Sequence, residues 1–141
     1  MKILAVDHGI KHIGLAISDE TGTLARPLET LSHISKMVDA GLVAQKAVEL
    51  EVKKIIVGVS YDENGDPNRA GRQAINFSEL LSIQLDIPVE LWDESFTTQD
   101  ARAVRIASGA PRKKRSGHLD DVAAAVLLQN FLDIQTDHYD K

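Results

Sequence analysis

Ile3-Leu4-Ala5-Val6 is apolar without alternation, the pattern of a strand covered on both faces, and Asp7-His8-Gly9 ends it with residues that suit a tight turn. Gly14-Leu15-Ala16-Ile17-Ser18 reads as a second strand closing at Asp19. After the turn chemistry of Glu20-Thr21-Gly22, Thr23 to Leu31 returns as a third strand, so the first three form a meander. Residues 36–52 carry Val38, Leu42, Val43, Ala47 and Val48 and no proline, which predicts a helix whose apolar positions spread wider than one clean stripe. Lys54-Ile55-Ile56-Val57-Gly58 is a short buried strand, Tyr61 to Pro67 a loop, and Asn68 to Leu85 a helix that Ile87-Pro88 breaks before a last strand, Val89 to Trp92. Thr97-Thr98-Gln99-Asp100 has the form of a helix cap, with Gly109 and Pro111 closing that helix. Leu119, Val122, Ala123, Val126 and Leu127 are spaced for one buried face of a final helix.

The resulting order, β-β-β-α-β-α-β-α-α, predicts an α/β fold: a mixed five-stranded sheet, three strands in an antiparallel meander and two parallel with right-handed crossovers, flanked by helices. A chain of 141 residues suits a single domain over 1–141. No apolar stretch approaches the roughly 18 residues of a membrane span. The first residues lack the longer apolar region and cleavage site of a secretory signal, so a cytoplasmic protein without membrane association is expected. Zero cysteines exclude disulfides, thiolate catalysis and Cys-ligated zinc, leaving carboxylate, histidine and hydroxyl chemistry.

Charge placement sharpens the picture. The net charge of −5 opposes indiscriminate coating of nucleic acid, yet residues 101–119 contain no acid and carry Arg102, Arg105, Arg112, Lys113, Lys114, Arg115 and His118. A solvated basic loop is the plain reading. A clamp for a polyanion is the functional one, because Asp120 follows directly and two other acids, Asp7 and Glu94, stand where strands end. Acids distant in sequence but gathered on rigid elements are what a hard divalent cation requires. Spacing alone leaves choices open. Asp93 and Glu94 point to opposite faces of an extended segment, and Asp120 and Asp121 both sit near a helix N-terminus, where acids also serve simply to complement the helix dipole.

Asp7-His8-Gly9 with Gly14-Leu15-Ala16-Ile17-Ser18-Asp19, then Arg26-Pro27-Leu28-Glu29-Thr30, Val57-Gly58, Asp93-Glu94-Ser95-Phe96-Thr97-Thr98, and Leu119 to Gln129 together resemble the YqgF/RuvX family, a bacterial branch of the RuvC-like, RNase H-fold nucleases. The resemblance implies an RNase H-like fold with Asp7, Glu94 and Asp120 as catalytic metal ligands. It selects Asp120 because the family motif places the acid three residues before the paired alanines, here Ala123 and Ala124. Two Mg²⁺ or Mn²⁺ ions about 3.5–4 Å apart would then activate water and stabilise the leaving oxygen. Small Ala123, Ala124 and Ala125 would let the last helix lie close to the sheet. Arg26, Arg112, Lys113, Lys114 and Thr97 are candidates for substrate contact, and His8, His12 and His118 for proton transfer. Two departures touch substrate grip: Ser95 stands where many members have Arg, and Val59-Ser60 where Leu-Pro is usual.

The implied activity is hydrolysis of phosphodiester bonds, maturing the 5′ end of pre-16S rRNA, with the ribosome or a pre-ribosomal particle as partner. The alternative within the same chemistry is resolution of branched DNA, which needs paired sites and hence a homodimer rather than a monomer. Outside it stand an ATP-binding module of the actin and sugar-kinase type, for which the chain is too short to hold both halves, and a non-catalytic RNA-binding ribosome-assembly factor, whose binding would survive EDTA.

Overall fold

The computed structural model describes residues 1–97 and 120–139, apart from the side chains of 96, 97, 120 and 136–139. Five strands, β1 (Ile3–His8), β2 (His12–Ser18), β3 (Ala25–Ser32), β4 (Lys54–Val59) and β5 (Val89–Asp93), form one sheet in the order β3-β2-β1-β4-β5. The first three make the expected antiparallel meander, while β4 runs parallel to β1 and β5 parallel to β4. Gly9 serves the first hairpin by close approach: a Cβ there would fall 2.6 Å from the His12 carbonyl oxygen.

Alternation along the strands gives the sheet two different faces. Leu4 and Val6, Ile13, Leu15 and Ile17, and Ile55, Val57 and Val59 bury against α1 (Lys36–Glu49) and α2 (Arg69–Gln84). Each such aliphatic side chain contributes about 1.5–3 kcal/mol when fully buried. On the other face Ile3, Ala5, Ala16 and Ile56 pack against Ala124, Ala125, Leu127, Leu128, Phe131 and Leu132 of α3 (Asp120–Tyr139). Alanines on both sides of that contact leave room for the helix backbone to lie close to the sheet, as the run of small residues implied.

Two helices differ from expectation in instructive ways. The buried face of α1 is Ala40, Val43, Ala44 and Ala47, a regular i, i+3, i+4, i+7 stripe; Val38, Leu42 and Val48 are exposed. The named apolar positions spread too widely to mark a face because three of the four residues that carry the packing are alanines. The helix begins where the Ser35 side chain accepts a hydrogen bond from the Val38 amide, and it stops at Glu49 rather than 52. Glu51 turns left-handed at φ 58°, its amide bonds the Val48 carbonyl, and the Val52 amide reaches back to Ala47. That is a Schellman termination without its usual glycine. In α3, Ala123 is exposed, whereas residues 124–128 are all buried, so the single stripe read from sequence gives way to a helix covered around most of its girth.

The remaining elements lie near their predicted places. Asn68 caps α2, its side-chain oxygen accepting from the Gly71 amide at 2.8 Å and from the Ser60 hydroxyl at 2.7 Å. The helix read between Thr98 and Pro111 lies outside the described residues. No helix among the described residues is long and apolar enough to cross a membrane.

Candidate active site

Asp7, in β1, and Glu94, in the turn that follows β5, line one cleft of about 80 Å³, with Ala123 and Leu127 of α3 completing its wall. Asp7 follows Ile3 and Ala5 in the alternation of β1, which carries it to the α3 face just beyond the last buried turn of that contact. Trp92 marks the same face on β5, meeting Phe131 edge-on with ring centroids 5.1 Å apart and planes at 86°. Glu94, two residues later, continues on that side and opens a 3₁₀ turn, Glu94–Thr97.

Asp93 and Glu94 differ in what each touches. Asp93 is the final residue of β5, and its carboxylate accepts the Ser95 amide at 2.8 Å, holding the turn, while Glu94 lines the cleft.

Gly58 creates the space for Glu94. It lies in β4, opposite Trp92 and between β1, which carries Asp7, and β5, which leads into Glu94. A Cβ built on it would fall 2.8 Å from Glu94 Oε1, 2.9 Å from Glu94 Cγ and 3.1 Å from Leu127 Cδ2. The Glu94 carboxylate therefore rests on bare backbone. From sequence Gly58 closes a strand and belongs to the Val57-Gly58 motif, with no role of its own, although a glycine inside a strand is itself a sign of close approach by another group.

Asp120 is the first residue of α3, one helical turn before Ala123 in the cleft wall. Its side chain is outside what is described, and among the described residues no three acidic or histidine groups gather as a metal centre. What the structure brings together is the Asp7–Glu94 pair beside the start of α3. Oxygen donors of this kind suit a hard cation. A volume near 80 Å³ equals the share of two to three waters at about 30 Å³ each. The cleft thus fits an ion with part of its hydration shell, and a polymer would have to lie across its mouth.

Other predicted residues fall elsewhere. Arg26 is exposed and pairs with Ile17, whose side chain belongs to the α1–α2 face, so it is on the opposite side of the sheet from the cleft. His8 also points to that opposite face, stacked on Phe77, and burial lowers its pKa below the usual histidine value. Thr97 ends the 3₁₀ turn. Arg112, Lys113, Lys114, Thr98 and His118 lie outside the described residues.

A family model for RuvX, described as a Holliday junction resolvase, matches residues 1–134. The chain belongs to the RuvX family. Among RuvX relatives, a protein of Thermoanaerobacter pseudethanolicus is 40% identical over 136 residues, covering 96% of this chain and 98% of that one. One of Syntrophus aciditrophicus is 37% identical over 133 residues, covering 94% and 89%. Both carry the description "Putative pre-16S rRNA nuclease". Among solved structures, Thermus thermophilus RuvC in complex with Holliday junction substrate superposes with a TM-score of 0.65 at 18% identity, covering 96% of this chain and 97% of that one. Fowlpox virus resolvase with junction DNA gives 0.60 at 16%, covering 96% and 99%. At those identities the likeness establishes the fold, which is the RNase H-like arrangement expected of a RuvX chain.

Proposed function

We infer that this RuvX protein is a divalent-metal-dependent nuclease acting on the 5′ end of pre-16S rRNA, and that the whole chain forms its one nuclease domain. The observation that carries the reading is the convergence of Asp7 and Glu94 on one ion-sized cleft beside the first turn of α3. Relatives more than one third identical over almost their full length and named for that activity support the substrate. In this reading Asp7, Glu94 and Asp120 hold Mg²⁺ or Mn²⁺, two ions in the complete site. Bound there, the metal supplies Lewis-acid stabilisation of phosphate charge and a water acidic enough to attack at neutral pH.

The chain's own part is positioning. Asp7 is held by a central strand paired on both sides, and Glu94 by the gap above Gly58, so neither carboxylate has to be ordered when substrate arrives. Asp120, at a helix N-terminus, would keep its negative charge favoured by the helix dipole. Arg112, Lys113 and Lys114 would hold backbone phosphates, and Thr97 would meet the strand beside Glu94. A cytoplasmic protein working on a pre-ribosomal particle follows. Resolution of branched DNA is the second reading, favoured by the family's description and requiring a homodimer.

Incubation with precursor 16S RNA, linear single-stranded RNA and a four-way DNA junction, each with magnesium, manganese or EDTA and alongside Asp7→Asn, separates these readings. Metal-dependent cleavage of the RNA that vanishes in Asp7→Asn is expected. Equal cleavage in EDTA would discard the metal mechanism, and cleavage of the junction alone would install the second reading.

A further inference from the structure

β1 ends in two consecutive side chains on opposite faces: Asp7 enters the cleft, and His8 enters a separate recess of about 90 Å³ formed with Ile10, His33, Lys36, Gln73 and Phe77. Their Cα atoms are one residue apart, about 3.8 Å, so the two recesses flank a single edge of the sheet. The His8 ring lies tilted on Phe77, with centroids 4.7 Å apart. Its Nδ1 is buried, with no hydrogen-bond partner from another residue. The ring therefore offers a hydrogen-bonding edge to a group that enters the recess.

The surroundings say what kind of group. Ile10, which lines the recess, is 65% exposed, and Ile34 and Met37, next in sequence to His33 and Lys36 of the lining, are 66% and 63% exposed. Lys11 and Lys36 stand exposed beside them. The nearby acid, Asp39, is buried and engaged: its carboxylate meets His33 Nδ1 at 2.5 Å and accepts the Ile34 amide at 3.0 Å. The open face therefore presents cations and apolar surface without a competing free carboxylate from Asp39. Gln73 adds an amide that both donates and accepts. A flat apolar ring bearing hydrogen-bonding groups and attached to a polyanion meets all of these features, and an apolar peptide meets only the first.

We propose that the recess behind His8 receives an unpaired nucleobase of the same strand whose phosphate lies at Asp7 and Glu94. Gln73 and His8 Nδ1 hydrogen-bond the base edge, Ile10 covers its face, and Lys11 and Lys36 hold neighbouring phosphates. The recess has the volume share of about three waters, room for the edge of one ring and none for a base pair. This rests on the nuclease reading and adds a substrate class to it: a strand unpaired next to the cut, in preference to continuous duplex.

The test measures binding of single-stranded and duplex RNA dodecamers by fluorescence anisotropy with calcium in place of magnesium, the strands being checked on a gel to be uncut. A 2-aminopurine is moved along the single strand to find the base that becomes quenched. Gln73→Ala and Ile10→Asp should each weaken single-strand binding about tenfold, leave duplex binding unchanged and abolish quenching at the responsive position. Ile83→Asp, at a site 80% exposed on another part of α2, should change nothing. Because Ile10 is largely in solvent, its variant will fold. Wild-type single-strand affinity in both variants, equal losses on duplex, or no single-strand binding by the unaltered protein overturns the proposal. Cleavage is assayed separately with magnesium. A protein that cuts nothing yet shows variant-sensitive binding retains the base recess and loses the nuclease reading; one that cuts with variant-insensitive binding does the reverse.

Discussion

Adding one methyl group at Gly58 should disable the candidate active site while sparing the fold. Ordinary van der Waals contact begins near 3.4 Å, and the new Cβ would lie 2.8 Å from Glu94 Oε1, so the carboxylate must retreat by about 3.4 − 2.8 = 0.6 Å or more. Catalytic geometry tolerates little of this; a misplacement near 1 Å costs roughly 10²-fold in rate. Stability changes less. Gly→Ala at a compatible extended position gains about 0.4–1 kcal/mol by restricting the unfolded chain. Overpacking costs about 1–3 kcal/mol, and here the new Cβ crowds Glu94 at Cγ as well as Oε1 and also Leu127 Cδ2, so Glu94 must swing as a whole toward the cleft mouth. The expectation for Gly58→Ala is a folded protein, no more than about 2.5 kcal/mol less stable, with cleavage slowed by about 10- to 100-fold and weaker Mn²⁺ binding. Circular dichroism melts, initial rates at fixed magnesium and calorimetric titration with Mn²⁺ measure the three quantities. A folded Gly58→Ala protein with unchanged rate and Mn²⁺ affinity would refute the claim that Glu94 works from the space above this residue.

Three further outcomes follow from the geometry. Glu51→Gly should stabilise the protein by about 1 kcal/mol, since a non-glycine residue at φ 58° carries that order of penalty, and urea denaturation would show a raised midpoint. Asp19 accepts the Thr23 and Leu24 amides and the Thr21 hydroxyl in the β2–β3 turn, and the Thr23 amide above all holds its pKa below the ordinary value of 3.8. Its stabilising effect is therefore full above that value and lost as pH falls below it, so the melting-temperature gap between wild type and Asp19→Asn should be open at pH 7 and narrow steadily in acid. Saturating Mn²⁺ at 100 times its Kd should raise stability by about 2.7 kcal/mol, a shift that EDTA reverses and Asp7→Asn reduces; equal shifts in both proteins would remove Asp7 from the metal site.

Much of the fold was legible because its central strands are short unbroken apolar runs bounded by turn residues. β1, β2 and β4 could be placed within a residue or two, and their connections fixed the mixed topology. The face of α1 was not legible, since four small or modest side chains bury there while Val38, Leu42 and Val48 remain in water. Hydrophobicity ranks side chains by size, and close helix packing rewards small ones. The end of α1 was missed for a related reason: the stop signal is a backbone geometry that Glu51 adopts without advertising it.

The site divides along the same line. From sequence alone come the acids, the basic stretch before Asp120 and the family motifs, because residue type and order are enough to recognise a donor set. Only tertiary structure turns Asp93 into the turn's anchor and Glu94 toward the cleft, puts Arg26 on the far side of the sheet, and reveals Gly58 as the gap in which Glu94 lies. Those assignments depend on which face of a sheet a side chain takes and on what stands across from it. Neighbours 36 residues apart, such as Gly58 and Glu94, are set by strand pairing, and no local pattern in the chain encodes the distance between them.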